Sequence, residues 1–304
     1  MDQKRYTRNL SMKKRIDFYN KAMRLRKRQG FGSYKAANIL GLNIGVVGGW
    51  FYEGSSPEFN RIKFYPTKSK ELAYVLGTIC GDACVYKTKM QNRTAIELKS
   101  IDKDFVEAFS LSISKIFNKT IPNKLIHTYD GYWRVIYGSR LFFNFFELLN
   151  LEKIRKTVSG YESSFLRALF DSEGSVNVEA KVKLDIGIAL ANTDRALLNL
   201  CKYLLEDKFS IKSCLVLVKK KGSLIKGAGN EIYKRNRDVW RLWIRDKRNI
   251  ETFRKSIGFS IARKQTKLED ALRIKESYPD RKEAAQAWKD CYKIVGRQWL
   301  KTVT

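Results

Sequence analysis

The sequence predicts an α+β protein: a pseudo-two-fold, duplicated αββαββα core behind an all-α N-terminal extension. Beyond residue 66 the same order of helical and strand-like patterns occurs twice, each pass opening on an apolar helix. The ends of the two passes also align at a shift of 108 residues. FFNFFELLNLEKIRK (142–156) runs against IETFRKSIGFSIARK (250–264), with Phe145 on Phe253 and Arg155-Lys156 on Arg263-Lys264. No glycine-rich phosphate loop opens any helix, which removes the doubly wound parallel sheet as a rival. The expected division is 1–66 for a basic extension and linker, 67–158 and 159–268 for the two repeats, and 269–304 for a helical tail.

Each element has a local reason. Ser11–Arg28 reads as a helix with a basic surface. In SYKAANILGLNIGVVGGW (33–50), Ala36, Ala37, Leu40, Leu42, Val46, Val47 and Trp50 recur at near-helical spacing. Gly41 breaks the pattern and Asn43 is a fair N-cap for a second helix. Helix, glycine turn and helix resemble a helix-turn-helix unit of the resolvase/transposase kind. Gly54–Pro66 reads as a linker. The first pass then offers a helix near 69–81, strands at Cys84–Lys89 and Thr94–Lys99, and a helix at 102–117. A hairpin of Lys124–Tyr129 and Tyr132–Tyr137 follows, turned by Asp130-Gly131, and a helix from Arg140 closes the pass. The second pass offers a helix near 161–172, strands at Ser175–Lys181 and Lys183–Ala191, and a helix at 194–207. Strands at Ile211–Lys219 and Glu231–Arg245 and a helix at 248–257 complete it. The tail, with Trp288 and Trp299, reads as helix.

Composition narrows the partner. The 304 residues carry 60 Lys+Arg against 31 Asp+Glu, a net charge of +29, with 44% apolar residues to build a core. Such a chain favours a polyanion, nucleic acid ahead of an anionic membrane surface. The single histidine, His127, excludes sites built from several histidines, including HNH nucleases and zincin-type metalloproteases. Five cysteines without a CxxC pair speak against a disulfide framework or a zinc ribbon. With no secretory signal and no apolar run of spanning length, an intracellular protein is expected.

The chemistry lies where the two opening helices end. ELAYVLGTICGDACV (71–85) stacks Ala73, Gly77 and Gly81 on one face; YESSFLRALFDSEGSV (161–176) stacks Ser164, Ala168 and Ser172. Small residues four apart let two helix backbones approach closely. Directly after these stripes stand Asp82 and Glu173. A carboxylate at a helix C-terminus meets the negative end of the dipole, and packing the helices together adds repulsion between the two acids. A hard divalent cation relieves both, held by Asp82 and Glu173 with the neighbouring Gly81 and Ser172 as carbonyl donors. Mg²⁺ is the usual choice beside a phosphate, and Mn²⁺ or Ca²⁺ suits the same ligands.

VLGTICGDA (75–83) and LRALFDSEG (166–174) resemble the two signature motifs of the LAGLIDADG homing endonucleases in their single-chain form. The resemblance covers roughly residues 70–268 and includes Asn192-Thr193-Asp194 before Leu197-Leu198, and the RKQ..KL run at 263–268. Departures are Ala83 at the usual final glycine, Ala168 opposite Gly77, and Thr78 and Cys80 off the consensus; both acids are in place. The resemblance implies a monomer whose motif helices join the repeats, a saddle of two sheets over double-stranded DNA, and metal-activated water attacking each strand. It implies basic or polar groups around that water, matched here by Arg140 and Arg248, with Lys247 a rival, and by Lys99. The counterpart of Lys99 is Ala191, so unequal cleavage sites are expected.

Strand alternation sorts the expected DNA face from the packing face. It assigns Lys87, Lys89, Arg93, Lys99 and Arg134 to DNA in the first repeat, and Asn177, Glu179, Lys181, Lys183, Asp185, Arg241 and Arg245 in the second. Lys220 and Lys221 sit in a basic, glycine-containing loop suited to a flanking backbone contact. The leading expectation is a site-specific, metal-dependent endonuclease. The alternative is a non-cutting nucleic-acid-binding protein of the same fold, an intron RNA maturase or a DNA-binding regulator, with intron RNA as a further partner. A membrane-surface protein explains the charge but neither acid.

Overall fold

A computed structural model describes residues 10–52, 57, 64, 66–88, 94–226, 231–295 and 298–302. The chain divides into two compact units, 1–63 and 64–304.

The first unit contains α1 (Met12–Gln29), α2 (Ser33–Leu40) and α3 (Ile44–Tyr52). Ser11 caps α1, and Gly41 closes α2 with φ of 62°, a left-handed turn that a side chain would strain. Asn43 Oδ1 accepts the Gly45 amide at 2.9 Å and starts α3. Ala22, Ala36, Ala37, Leu42, Val47, Trp50 and Phe51 form the buried centre, with Tyr19 edge-on to Trp50.

The second unit opens with α4 (Lys70–Cys80), β1 (Cys84–Lys87), β2 (Thr94–Ser100), α5 (Lys103–Ile116), β3 (Ile126–His127), β4 (Trp133–Tyr137), α6 (Arg140–Glu147) and α7 (Leu151–Val158). The series repeats as α8 (Glu162–Glu173), β5 (Gly174–Ala180), β6 (Leu184–Asn192), α9 (Arg195–Phe209), β7 (Cys214–Lys219), β8 (Leu224–Lys226), β9 (Ile232–Lys234), β10 (Val239–Ile244), α10 (Lys247–Ser256) and α11 (Ala262–Ser277). It ends in α12 (Arg281–Cys291), β11 (Tyr292–Val295) and β12 (Gln298–Lys301). Each half carries one four-stranded antiparallel sheet, ordered β1-β2-β4-β3 and β5-β6-β10-β7. The matching strand order makes this an α+β fold of two like halves.

Each sheet is apolar on one face and open on the other. In β2, Ile96 and Leu98 are buried while Lys99 is exposed; in β5, Val176 and Val178 are buried while Ser175 and Glu179 are exposed. Phe105, Phe109, Tyr137 and Phe142 fill the first core, and Phe165, Phe170, Leu198 and Phe253 the second.

The structure departs from expectation in three places. The run 231–245 is not one strand: Asp238 accepts the Lys221 amide at 2.6 Å, and β9 pairs with β8 while β10 joins the main sheet. The tail is not all helix. Helix α11 crosses the expected 268/269 boundary, and after α12 the strands β11 and β12 pair antiparallel, with Tyr292 stacked on Trp288 at 3.9 Å where the chain leaves the helical course. The tail also covers the second sheet, where Ala284, Ala285 and Trp288 of α12 are buried. The segment after α6 contains a separate helix, α7, capped by Asn150.

Candidate active site

Helices α4 and α8 pack against each other through their small residues. A Cβ added to Gly77 would stand 2.8 Å from Ala168 Cβ and closer still to the Phe165 carbonyl oxygen. One added to Gly81 would meet Ser172 Oγ at 2.7 Å, with Glu173 Cγ at 3.5 Å. The backbones therefore touch where the stripes lie, and the chain leaves α4 and α8 with Asp82 and Glu173 side by side.

Partial burial raises both carboxyl groups above their ordinary range. Glu173 is raised further by the charge of Asp82, Asp82 by Asp102, and Lys264 pulls both down. Among the described residues neither carboxylate accepts a hydrogen bond or enters an ion pair. Two crowded acids in no hydrogen bond or ion pair among the described residues offer hard oxygen ligands of the kind a divalent cation takes. Among the described residues no group of three His, Cys, Asp or Glu side chains gathers as a metal site.

Beneath the acids lies a polar cluster that sequence reasoning missed. Lys264, in the first turn of α11, is buried and donates from Nζ to the Phe170 carbonyl at 3.1 Å and to the Asp171 carbonyl. It thus caps the C-terminal carbonyls of α8, where a cation meets the negative end of the dipole. Burial lowers its ammonium to about 8, against the opposing pull of Asp171. Asp171 is itself buried, accepting Tyr74 Oη at 2.9 Å and the Ser260 amide at 2.8 Å; burial raises it to about 6. The sequence signal for this cluster is the run at 263–268, which reads as a mark of duplication and of the family resemblance and says nothing of the burial of Lys264. Its counterpart Lys156 is exposed and bonded to Glu152, and the counterpart of Asp171 is Cys80, a thiol that burial pushes up to about 12.

The other expected site residues are spread more widely. Arg140 and Arg248 are exposed in the first turns of α6 and α10. Lys99 bonds Asp130 at 2.5 Å and lies over the Tyr132 ring. Cys84 pairs with Glu97 and Gly174 with Leu190; continuing these registers sets Lys99 opposite Asp82 and Ala191 opposite Glu173. Arg134 is tied to Glu97 by two bonds of 2.5 and 2.9 Å, and its guanidinium holds that carboxyl below the usual range. Lys87 is exposed at the end of β1, whereas Lys89 and Arg93 lie outside the described residues.

On the second sheet Asn177 bonds Ser175 Oγ, and Glu179 is exposed. Lys183 and Arg281 both approach Asp185, and the carbonyl of exposed Lys181 accepts Lys289 Nζ. Arg241 and Arg245 both lie over the ring of Trp243. Lys220 and Lys221 are exposed in the turn after β7. A cleft of about 1250 Å³ runs from Glu173 along β5 to the C-terminal hairpin, lined by Asn177, Arg245, Lys264 and Lys267. Among the described residues no helix is long and apolar enough to cross a membrane.

Comparison with known proteins gives three kinds of likeness. Residues 160–258 match the LAGLIDADG-like domain family. An uncharacterised protein of Methanocaldococcus jannaschii is 36% identical over 227 residues, covering 73% of this chain and 79% of that protein. A second uncharacterised protein of the same organism is 32% identical over 154 residues, covering 48% and 57%. Among solved structures, I-DmoI in complex with DNA and calcium aligns with a TM-score of 0.46 at 18% identity, over 66% of this chain and 97% of that one.

Proposed function

The chain belongs to the LAGLIDADG family, and from that premise we propose that it is a site-specific DNA endonuclease making metal-dependent double-strand breaks. The observation that carries the reading is the pair Asp82 and Glu173, crowded at the ends of two touching helices and, among the described residues, in no hydrogen bond or ion pair. A protein that only bound nucleic acid would gain nothing from aiming two unpaired acids at phosphates, which also disfavours the maturase or regulator alternative.

Asp82 and Glu173, with the Gly81 and Ser172 carbonyls, would hold Mg²⁺ or Mn²⁺. When bound, the ion supplies Lewis-acid activation of water and stabilises the leaving oxygen. The protein's own contribution is positional. Small residues fix the distance between the helix ends, and the carboxylates bind only when deprotonated. The Lys264 ammonium offsets their charge from beneath, which keeps the pair tolerable before DNA arrives. The open sheet faces, with Lys99, Arg134, Asn177, Arg241 and Arg245, supply phosphate and base-edge contacts.

The test is cleavage of the native host locus, lacking any insertion, in the presence of Mg²⁺. Double-strand cutting is expected from the parent. Asp82→Asn and Glu173→Gln should abolish it while retaining binding. Undiminished cutting by both variants would sink the site assignment, and tight binding without cutting by the parent would favour the non-cutting alternative.

A further inference from the structure

The first unit carries a charge distribution at odds with the docking mode of a helix-turn-helix. In that motif the second helix enters the major groove and its polar side chains bond base edges. Here that helix is α3, IGVVGGWFY, which holds no Lys, Arg, Asn, Gln, Ser or Thr. Its open side presents Ile44, Gly45, Gly48 and the terminal Tyr52, and a Cβ at Gly48 would meet nothing within 4 Å. The outer surface of such a helix can touch a thymine methyl but can discriminate little else.

The cations are on α1 instead. It carries Lys13, Lys14, Arg15, Lys21, Arg24, Arg26, Lys27 and Arg28 against a single acid, Asp17, which Lys21 neutralises at 2.9 Å. Lys13, Arg24, Lys27 and Arg28 recur at helical spacing on one side; with Lys14 they are exposed and, among the described residues, their side chains bond nothing. Arg26 is turned the other way, bonded to the Phe51 carbonyl. From Lys13 to Arg28 the helix rises roughly 22 Å, a reach of several phosphates along a strand. The opposite face of α1 is already used: Phe18, Ala22 and Leu25 pack into the unit's own core. No apolar stripe is left for a bilayer, so the basic helix does not fit an interfacial membrane anchor.

We propose that the N-terminal unit is a phosphate-binding arm that grips DNA through the outer cation row of α1, adding affinity without sequence choice. The proposal rests on the reading of the chain as a DNA-binding protein, and not on its cutting. Two functions are thereby divided: the duplicated core selects the sequence, and the arm lengthens the residence of the protein on any duplex.

The experiment uses the full chain with Arg24, Lys27 and Arg28 changed together to Glu, and separately to Gln, beside Ile44→Ala. Binding to an arbitrary-sequence duplex is measured across a salt series, and the preferred site is selected from a pool of random duplexes. Circular dichroism verifies the fold. Charge reversal should weaken binding to the arbitrary duplex by about tenfold or more and lower the salt slope by about 0.9 for each phosphate no longer neutralised. The Gln variant should lie between it and the parent, and the selected site should be the same for all. Ile44→Ala should leave both readouts unchanged.

An unaltered slope in the charge-reversed protein overturns the proposal. So does a changed selected site in the Ile44→Ala variant, or charge-dependent binding to anionic vesicles with none to DNA. Because none of these readouts needs strand scission, failure of the arm and failure of the endonuclease reading are told apart.

Discussion

At the scale of single residues, Lys264 holds the most information. Its ammonium is buried against the carbonyls of Phe170 and Asp171, within one helical turn of Glu173, whose charge it offsets together with that of Asp82. An uncompensated pair of carboxylates would bind a cation more tightly but would repel the DNA backbone and each other. Lys264→Met should lower the cleavage rate by about an order of magnitude or more, on the scale of losing one preorganised electrostatic partner, with a much smaller change in affinity for DNA. Parallel losses in rate and affinity would instead mark Lys264 as a packing residue. Asp82 and Glu173 could be picked out from the sequence because their position after two small-residue stripes repeats. Lys264 could not, since its burial arises from partners 93 and 94 residues away.

At the scale of elements, two interfaces decide the architecture. The first is α4 on α8. With Ala168 Cβ only 2.8 Å from where a Gly77 side chain would begin, Gly77→Ala forces the helices apart. Overpacking of this kind costs about 1–3 kcal/mol, and the midpoint of chemical denaturation should fall accordingly. An unchanged midpoint would mean that the helices do not touch there. The second interface is the N-terminus of α11, where acids from both halves converge. Asp171 accepts the Ser260 amide, Asp104 accepts the Ala262 amide, and Asp102 takes the Arg263 guanidinium in a bidentate pair.

Further along α11, Asp270 accepts Lys301 at 2.7 Å, Tyr292 at 2.8 Å and Arg273 at 2.8 Å, joining the hairpin to the core. Burial opposes its ionisation, but Lys301, Tyr292 and Arg273 together hold it below the ordinary range. A depressed folded pKa means the unfolded chain binds the proton first as pH falls. The stabilisation is therefore complete above the ordinary Asp value of about 3.9 and is lost as pH falls below it through the lowered value. Tryptophan fluorescence, to which Trp288 and Trp299 contribute, should follow this acid transition, and Asp270→Asn should diminish it.

At the scale of the whole molecule the two halves share a sheet order but not a chemistry. The strand registers, continued, set Asp82 toward Lys99 and Glu173 toward Ala191; Cys80 occupies the place of Asp171; Lys156 is exposed where Lys264 is buried. Two centres so unlike should cut at different rates, so a time course on supercoiled plasmid bearing the target should accumulate nicked circles before linear product. Direct conversion to linear product would argue for equivalent sites. The charge excess is divided as well. Residues 1–66 hold 14 Lys+Arg against 4 Asp+Glu, a net of +10, which leaves +19 for the other 238.

The small-residue stripes, the strand alternation and the helix caps were legible in the sequence because each is complete within about fifteen residues, and the duplication was legible because such patterns recur at a fixed shift. A stripe of small residues, an alternation or a cap is complete in its own segment. What meets near Asp82 and Glu173 depends on packing: Tyr74, Asp171 and Lys264 come from three helices, and their burial and shifted pKa values belong to the cluster. The pairing of β11 with β12, beside the stacking of Tyr292 on Trp288, and the separation of the open side of α3 from the basic side of α1 are equally tertiary. Side-chain environment is set by neighbours distant in sequence, and no local pattern encodes it.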